Sequence, residues 1–183
     1  MGPFPHTAPR AEITSENPAG TDGFEFVEFA HPNPQELRDL FARMGYAHVA
    51  NHKTKIIELW QQGDVTYILN ADPDSFAARF VEEHGPCAPS MGWRVADADH
   101  AFAHAVSKGA VPYTGTGKAL DVPAIEGIGG SLLYFVDQYF DTSPYNAEFD
   151  WTDQSKPAGV GFFYLDHLTH NVHKGNMDKW FHF

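Results

Sequence analysis

The segment FFYLDHLTHN places Asp166, His167 and His170 among aromatic and aliphatic residues. Imidazole and carboxylate groups at the end of a sheet can bind iron, manganese or zinc. A non-haem iron site needs two histidines and one carboxylate, with positions left open for substrate and dioxygen. One histidine does not make such a site. The residues alone therefore favour a structural role for His167 and leave a metal-ligating role as the alternative.

The spacing of His167, His170 and His173 resembles a metal-binding stripe along one helix face. Such a stripe would require the helix to begin before Asp166. The aromatic run at residues 162–165 instead predicts a strand there. We therefore expect His170 and His173 to lie in the following loop and helix start, as capping or solvated side chains.

Other patterns that could carry chemistry are incomplete. The segment TGTGKA around Gly115 and Gly117 lacks the first glycine and the final serine or threonine of a phosphate loop. The segment GIGGS predicts a turn between strands. Neither Ser131 nor Cys87 lies in a recognisable nucleophile elbow.

The overall charge and the cysteine count restrict the possible partners and compartment. The 183 residues carry 24 acidic and 12 basic side chains, a formal net charge of −12. This balance argues against nucleic acid or an anionic membrane as a partner, because both attract basic surfaces. Cys87 is the single cysteine, so no internal disulfide can form, which is typical of a reducing cytoplasm. No apolar run approaches the roughly 18 residues of a membrane span.

The hydrophobic periodicity predicts strands and helices that alternate in blocks. Strands are expected in GFEFVEFA, AHVANH, KIIELWQQG, VTYILNA, MGWRVAD and twice in LDVPAIEGIGGSLLYFVDQ, and helices in the segments that follow Asn33, Pro73 and Asp97. Most neighbouring strands are joined by short turns. This order predicts an α+β fold with a mostly antiparallel sheet covered by helices on one side.

Composition divides the chain into four parts. Residues 1–20 are rich in Pro, Ala, Thr and Glu and predict a flexible arm, and residues 21–140 form the first domain. Residues 141–159 lose periodicity and gain proline and polar residues, which favours a linker. Residues 160–183 are interpreted as the truncated start of a further domain.

An internal repeat supports this division. The segment from Val27 aligns with the segment from Asp166, 139 residues later, so that Phe41 matches Trp180. Each segment predicts a strand that runs into an amphipathic helix. The second copy ends inside this helix without a stop signal, which we interpret as truncation.

Four long motifs resemble a known enzyme family. ENPAGTDGFEFVEFA, EHGPCAPSMGWRV, LDVPAIEGIGGSLLYFVD and LDHLTHNVHKGNM are similar to the amino-terminal half of bacterial 4-hydroxyphenylpyruvate dioxygenases, and they follow in the same order. The resemblance runs from about Glu16 to the last residue. It implies the vicinal-oxygen-chelate fold, built from tandem βαβββ modules, with two modules in each domain.

The resemblance also implies a cofactor and its ligands. In this family, one Fe(II) is held by two histidines and a glutamate of the carboxy-terminal domain. The first of these histidines corresponds to His167, with Asp166 as a supporting residue. The matching positions of the first domain would be Glu28, Trp93 and Tyr134. This set cannot hold iron, so the resemblance implies a first domain without catalysis.

The implied reaction of the parent enzyme converts 4-hydroxyphenylpyruvate and O2 to homogentisate and CO2, in tyrosine and phenylalanine catabolism. The first alternative is 4-hydroxymandelate synthase, which uses the same iron and substrate. The second is a catalytically inert scaffold or oligomerisation domain. We also expect a cytoplasmic homo-oligomer without nucleic-acid or membrane partners.

Overall fold

The computed structural model describes residues 9–139, 144–153, 159–169 and 171–181. Eight strands and five α-helices lie within these ranges. They are β1 (Thr21–Ala30), α1 (Pro34–Arg43), β2 (Ala47–His52), β3 (Ile57–Gln62), β4 (Val65–Asn70), α2 (Phe76–His84), β5 (Cys87–Val95), α3 (Ala98–Ser107), β6 (Ala124–Glu126), β7 (Leu132–Val136), α4 (Tyr145–Glu148), β8 (Phe149–Trp151) and α5 (Met177–Phe181).

All eight strands form one sheet in the order β6-β7-β5-β1-β4-β3-β2-β8. The pairs β1–β4 and β5–β7 are parallel and the other pairs are antiparallel, as predicted for a mostly antiparallel α+β sheet. The first unit is β1-α1-β2-β3-β4, a complete βαβββ module. The second is β5-α3-β6-β7, and β8 crosses to the far edge beside β2. The antiparallel β1–β5 pair joins the two units at the centre of the sheet.

The two faces of the sheet are covered differently. On the first, here called the inner face, Phe26 of β1 and Tyr134 of β7 pack with ring centroids 5.5 Å apart. The opposite face carries Phe29 and Phe135, because side chains alternate along a strand. Phe29 packs in the cluster formed by α1, and Phe135 packs in the cluster formed by α3.

The inner face is filled by chain segments other than α1 and α3. Ala119 and Leu120 are fully buried against it, and the backbone N–H of Ala119 donates to the Tyr134 hydroxyl at 3.0 Å. Tyr145 and Phe149 complete the same cluster. The space over the sheet centre is therefore occupied by apolar side chains of the chain itself.

Helix α1 follows its sequence signals. Asn33 occupies the N-cap position and Pro34 the first turn, where the missing proline N–H costs nothing. Gly45 ends the helix with φ of 87°, in the left-handed region that favours glycine. Of the predicted apolar face, Phe41 is fully buried, whereas Leu40 remains 39% exposed.

The prediction of a linker at residues 141–159 is partly wrong. Within residues 141–159, α4 and β8 are ordered parts of the first domain. Tyr145 and Phe149 are 2% exposed, and β8 pairs with β2 through Ala50–Trp151 and His52–Phe149. The segment was misread because three-residue β8 carries no periodic signal and takes its position from β2.

The described part of the predicted arm also packs on the domain. The Arg10 guanidinium donates to the Tyr139 carbonyl oxygen at 2.7 Å and lies 4.6 Å from the centroid of the Tyr139 ring. The His100 ring contacts the Pro18 carbonyl oxygen at 2.9 Å. These contacts tie residues 9–20 to the sheet through polar groups, which hydrophobic periodicity does not detect.

The segment after residue 159 forms no strand among the described residues 159–169. It lies along the β3–β4 turn, where the Val160 N–H donates to Gln62 at 2.9 Å and the Asp64 N–H donates to the Phe163 carbonyl at 3.1 Å. The strand predicted at residues 162–165 is therefore wrong. Helix α5 is present where the repeat predicts a helix, and His170 lies outside the described residues.

Candidate metal centre

Glu28 is a buried carboxylate on the inner face. It lies at the centre of β1, opposite Ser90 of β5 and beside Ile68 of β4, and is 1% exposed. The Asn70 side-chain amide donates to Oε1 at 2.7 Å, and the Ser90 hydroxyl donates to Oε2. Both carboxylate oxygens therefore have a partner from a neighbouring strand.

Burial dominates the electrostatics of this carboxylate. Desolvation raises the pKa of Glu28, although the Ser90 and Asn70 hydrogen bonds and the Lys55 charge act in the opposite direction. The pKa of the Cys87 thiol is raised by burial and, to a smaller extent, by the Glu28 charge. Glu28 therefore sits in an environment that favours its protonated form more than water does.

The predicted partners of Glu28 are not the ones that the structure brings together. Trp93 lies three residues after Ser90 on β5 and so faces the opposite side of the sheet, 4.9 Å from the Phe24 ring. Tyr134 does share the inner face, but its hydroxyl accepts from the Ala119 N–H. The grouping of Glu28 with Trp93 is wrong, and Asn70 and Ser90 are the residues that sequence reasoning missed.

The arrangement around Glu28 is not a metal site. A neutral amide and a hydroxyl each donate a hydrogen bond to the carboxylate, and they stand where a transition-metal site would need imidazoles. Within the part of the chain that the structure describes, no group of three or more His, Cys, Asp or Glu residues could hold a metal ion. Glu28 is therefore a hydrogen-bonded core carboxylate in this domain.

His167 lies in a different environment, on the exposed carboxy-terminal segment. Its side chain is 76% exposed, and its Nδ1 lies 2.7 Å from Oδ1 of Asp166. A carboxylate on one ring nitrogen orients the imidazole and leaves Nε2 to bind a metal. The donor chemistry of His167 thus fits one ligand of an Fe(II) site, with further ligands needed from elsewhere. Its role as an iron ligand stays a prediction.

Comparison with known proteins identifies the family. The family described as "Hydroxyphenylpyruvate dioxygenase, HPPD, N-terminal" matches residues 15–150. The chain belongs to this family. It is 45% identical over 177 residues to the 4-hydroxyphenylpyruvate dioxygenase of Pseudomonas aeruginosa, covering 93% of the chain and 50% of that protein. It is 46% identical over 177 residues to hemolysin VllY of Vibrio vulnificus, covering 92% and 50%.

Solved structures agree with this assignment. A xylose isomerase-like TIM barrel/4-hydroxyphenylpyruvate dioxygenase fusion protein matches with a TM-score of 0.80 and 30% identity, over 95% of this chain and 27% of that chain. The fold is therefore the glyoxalase-like vicinal-oxygen-chelate fold. The chain spans about half the length of the curated relatives it matches. No helix in the described ranges is long and apolar enough to cross a membrane.

A substitution at Glu28 tests how burial affects its carboxylate in this hydroxyphenylpyruvate dioxygenase domain. We expect Glu28→Gln to leave the domain as stable as the parent at about pH 3.5, below the usual pKa of glutamate, and more stable than the parent at about pH 8. A glutamine can accept from Asn70 and donate to Ser90 without carrying a buried charge. Chemical denaturation at several pH values, followed by circular dichroism, measures the difference in unfolding free energy.

The direction of this pH dependence follows from the difference between the pKa of Glu28 in the folded and in the unfolded state. Because the pKa of Glu28 is raised by folding, the folded state holds its proton at pH values where the unfolded chain has lost it. The contribution of this group to stability is therefore lost as pH rises through the folded pKa. Glu28→Ala is the matched control, since it leaves Asn70 and Ser90 unpaired at about 1–3 kcal/mol for each buried group. A pH-independent difference between Glu28→Gln and the parent would contradict the raised pKa.

Proposed function

We propose that this chain is the amino-terminal part of an Fe(II)-dependent 4-hydroxyphenylpyruvate dioxygenase, which converts its substrate and O2 to homogentisate and CO2. The observation that carries this proposal is the 45% identity to a 4-hydroxyphenylpyruvate dioxygenase over nearly the whole chain. The family match over residues 15–150 supports it independently of that relative. The pathway would be the breakdown of tyrosine and phenylalanine.

The two parts of the chain would have different roles. Residues 9–139 and 144–153 supply a domain whose inner face is filled by its own apolar side chains, and there Asn70 and Ser90 donate hydrogen bonds to the buried Glu28 carboxylate. This domain would support the enzyme and leave the chemistry to another domain. The segment around His167 would enter the iron-binding domain.

Fe(II), when bound, would supply dioxygen activation and a chelating position for the α-keto acid of the substrate. His167 would bind it through Nε2. Asp166 would accept a hydrogen bond from Nδ1–H and so fix the tautomer and the ring orientation. The exposure of both side chains suits a segment that docks against further protein, since ligands of a working site are enclosed. These assignments define the residues whose replacement should affect iron retention.

The proposal is tested by assaying a protein that contains this chain together with the half that its relatives add. We expect Fe(II)-dependent oxygen uptake with 4-hydroxyphenylpyruvate, with homogentisate as the product by chromatography and mass spectrometry. Hydroxymandelate as the product would support the alternative 4-hydroxymandelate synthase. Absence of turnover in a folded, iron-loaded protein would contradict both enzymes and favour a scaffold role.

The 183 residues assayed alone provide a matched comparison. We expect oxygen uptake no higher than the free-iron background, because the described residues bring no three metal donors together. Equilibrium dialysis with Fe(II) should likewise give weak binding that saturates at no defined stoichiometry. Turnover above the background would show that the chain completes an iron site by itself, for example between two copies.

Two further properties belong to the proposal. A cytoplasmic location is supported by the single cysteine, the half-buried Cys87, because the chain can form no internal disulfide. A homo-oligomer is supported by exposed apolar side chains at Trp151 and Phe163, which are 47% and 59% exposed. The net charge of −12 argues against nucleic-acid and anionic-membrane partners.

A further inference from the structure

A cavity of about 610 Å³ opens beside the β2–β3 loop, away from Asp166 and His167. Its walls come from the β2–β3 loop at residues 52–55, from residues 115–121, and from the end of α4 at Ala147 and Glu148. The volume lies in the range of small-molecule sites, about 300–1,000 Å³. None of the family's expected site residues line it.

Three lysines line this cavity, in a chain that carries only 12 basic residues against 24 acidic ones. The Lys53 ammonium donates to the Ala147 carbonyl at 2.6 Å, and the Lys55 ammonium donates to the Lys118 carbonyl at 2.9 Å. Carbonyl oxygens position these groups without bringing a formal charge, although the Lys55 charge also acts on the buried Glu28 carboxylate. Among the described residues, no carboxylate lies within ion-pair distance of Lys53 or Lys55.

The acidic residues of the cavity wall are already engaged or turned to solvent. Glu148 contacts His52 Nε2 at 3.4 Å and accepts from the Asp121 N–H at 3.0 Å. The Asp121 side chain is 93% exposed and lies 3.8 Å from the Lys118 ammonium. The carboxylates therefore offset only part of the positive charge that the lysines bring to this cavity.

His52 fixes the loop that carries two of the lysines. Its Nδ1 accepts from the backbone N–H groups of Thr54 and Lys55, each at 3.1 Å. Burial, followed by the Lys55 charge, lowers the pKa of His52, so the ring is neutral with its proton on Nε2, facing Glu148. The loop is thus held by a neutral ring, and its lysines are presented in a defined conformation.

The opposite wall offers unused backbone donors. Within the described part of the chain, the N–H groups of residues 115–118 donate to no protein acceptor. Gly117 has φ of +81°, and a Cβ there would lie 2.7 Å from the Phe76 nitrogen, so the loop requires glycine. A glycine-containing loop with free N–H groups beside lysines is the composition of many phosphate sites. The sequence pattern does not meet the phosphate-loop motif, so it is the fold that places this loop beside the lysines.

We propose that this cavity binds the phosphate group of a small molecule, held by Lys53, Lys55 and Lys118 and by the backbone of Gly115–Lys118. Phosphate is favoured over a single carboxylate because its several oxygens and higher charge match three separated ammonium groups and a row of N–H donors. The site is independent of the proposed dioxygenase activity, since none of its residues belongs to the iron-binding segment.

Amide NMR of the 183-residue chain, titrated with inorganic phosphate at constant ionic strength, tests the site. We expect saturable shifts of the Gly115, Thr116, Gly117 and Lys118 resonances, with millimolar or tighter affinity. Lys53→Gln and Lys55→Gln should each weaken the affinity by about fivefold, the effect of losing one partly screened charge. Lys108→Gln, an exposed lysine after α3 and outside the cavity, is the matched control and should leave the affinity unchanged.

Acetate and chloride at the same ionic strength distinguish a phosphate site from general charge screening. Equal shifts with acetate or chloride would overturn the proposal, as would equal affinities for Lys53→Gln and Lys108→Gln. Lys55 also holds the loop at residues 118–119, so the circular dichroism spectrum must show that its variant is folded. Lys53 is exposed, which keeps the test decisive if the Lys55 variant is not.

Discussion

Replacing His167 by alanine, in a protein that contains this chain and the half added by its relatives, is expected to remove bound iron and to lower turnover by more than about 100-fold. The estimate follows from the usual 10–100-fold cost of removing a residue that merely supports a ligand, which a lost ligand should exceed. Iron content after gel filtration and oxygen uptake with 4-hydroxyphenylpyruvate are the two measurements.

Two neighbouring replacements separate ligation from general damage to this segment. His173→Ala removes an exposed histidine that the sequence predicts to be solvated, and it should leave iron content and rate unchanged. Asp166→Asn keeps the shape of the residue that contacts His167 Nδ1 at 2.7 Å but removes its charge. Because the aspartate is expected to orient the ring, this variant should lose about 10–100-fold in metal affinity or activity.

Two outcomes would contradict an iron-ligating role for His167. If His167→Ala retained normal iron and rate, the resemblance of the DHLTHN segment to the family's iron-binding motif would not extend to function. If His167→Ala and His173→Ala lost iron and turnover equally, both replacements would act by disrupting the fold of this segment. A melting curve of each variant shows whether the first domain remains intact, since the described contact of His167 is with Asp166 of its own segment.

The elements with strong local signals could be predicted from the sequence. The helix predicted after Asn33 is present as α1, which begins at Pro34 and is followed by Gly45 in a left-handed conformation. The β3–β4 hairpin turns at Gly63, whose φ of 51° suits the expected turn. In each case, a few neighbouring residues determine the backbone, so no knowledge of the rest of the fold is needed.

The surroundings of Glu28 could be predicted only in part. The pattern GFEFVEFA predicts phenylalanines on one face and glutamates on the other, whereas in β1 Glu28 is buried on the same face as Phe26. Its partners come from a parallel pairing with β4 and an antiparallel pairing with β5, which has register shifts on both sides of Glu28. A shift of one residue moves a side chain to the opposite face. The matching positions that the resemblance implies carry no information on this register, so they include Trp93 and omit Ser90.

The predicted linker failed for a related reason. Strand β8 has three residues, and its position depends on pairing with β2, about 100 residues earlier in the chain. Proline and polar residues around it favour a loop by composition. The burial of Tyr145 and Phe149 reflects their packing on the inner face, a contact between distant segments that local periodicity does not encode.

The contribution of β8 gives the second large prediction. Phe149→Ala should lower the free energy of unfolding by about 3–5 kcal/mol, the cost of removing a buried phenylalanine from a core. The ring is 2% exposed and packs against Tyr145 and His52, with centroids 5.8 Å and 4.9 Å away. Loss of the ring would also loosen the cover over Leu120. Urea denaturation followed by fluorescence and circular dichroism measures the change.

Trp151→Ala is the matched control, because it lies on the same short strand with its ring 47% exposed. Its side chain donates to the Asn146 amide oxygen at 2.8 Å, a surface contact. The expected loss is about 1 kcal/mol or less, as for most surface substitutions. A flexible linker would make both replacements equally harmless, whereas a β8 that belongs to the core makes Phe149 the costlier by several kcal/mol. Equal small effects would therefore return residues 144–153 to the linker and leave the inner face to the other members of its cluster, such as Ala119, Leu120 and Phe76.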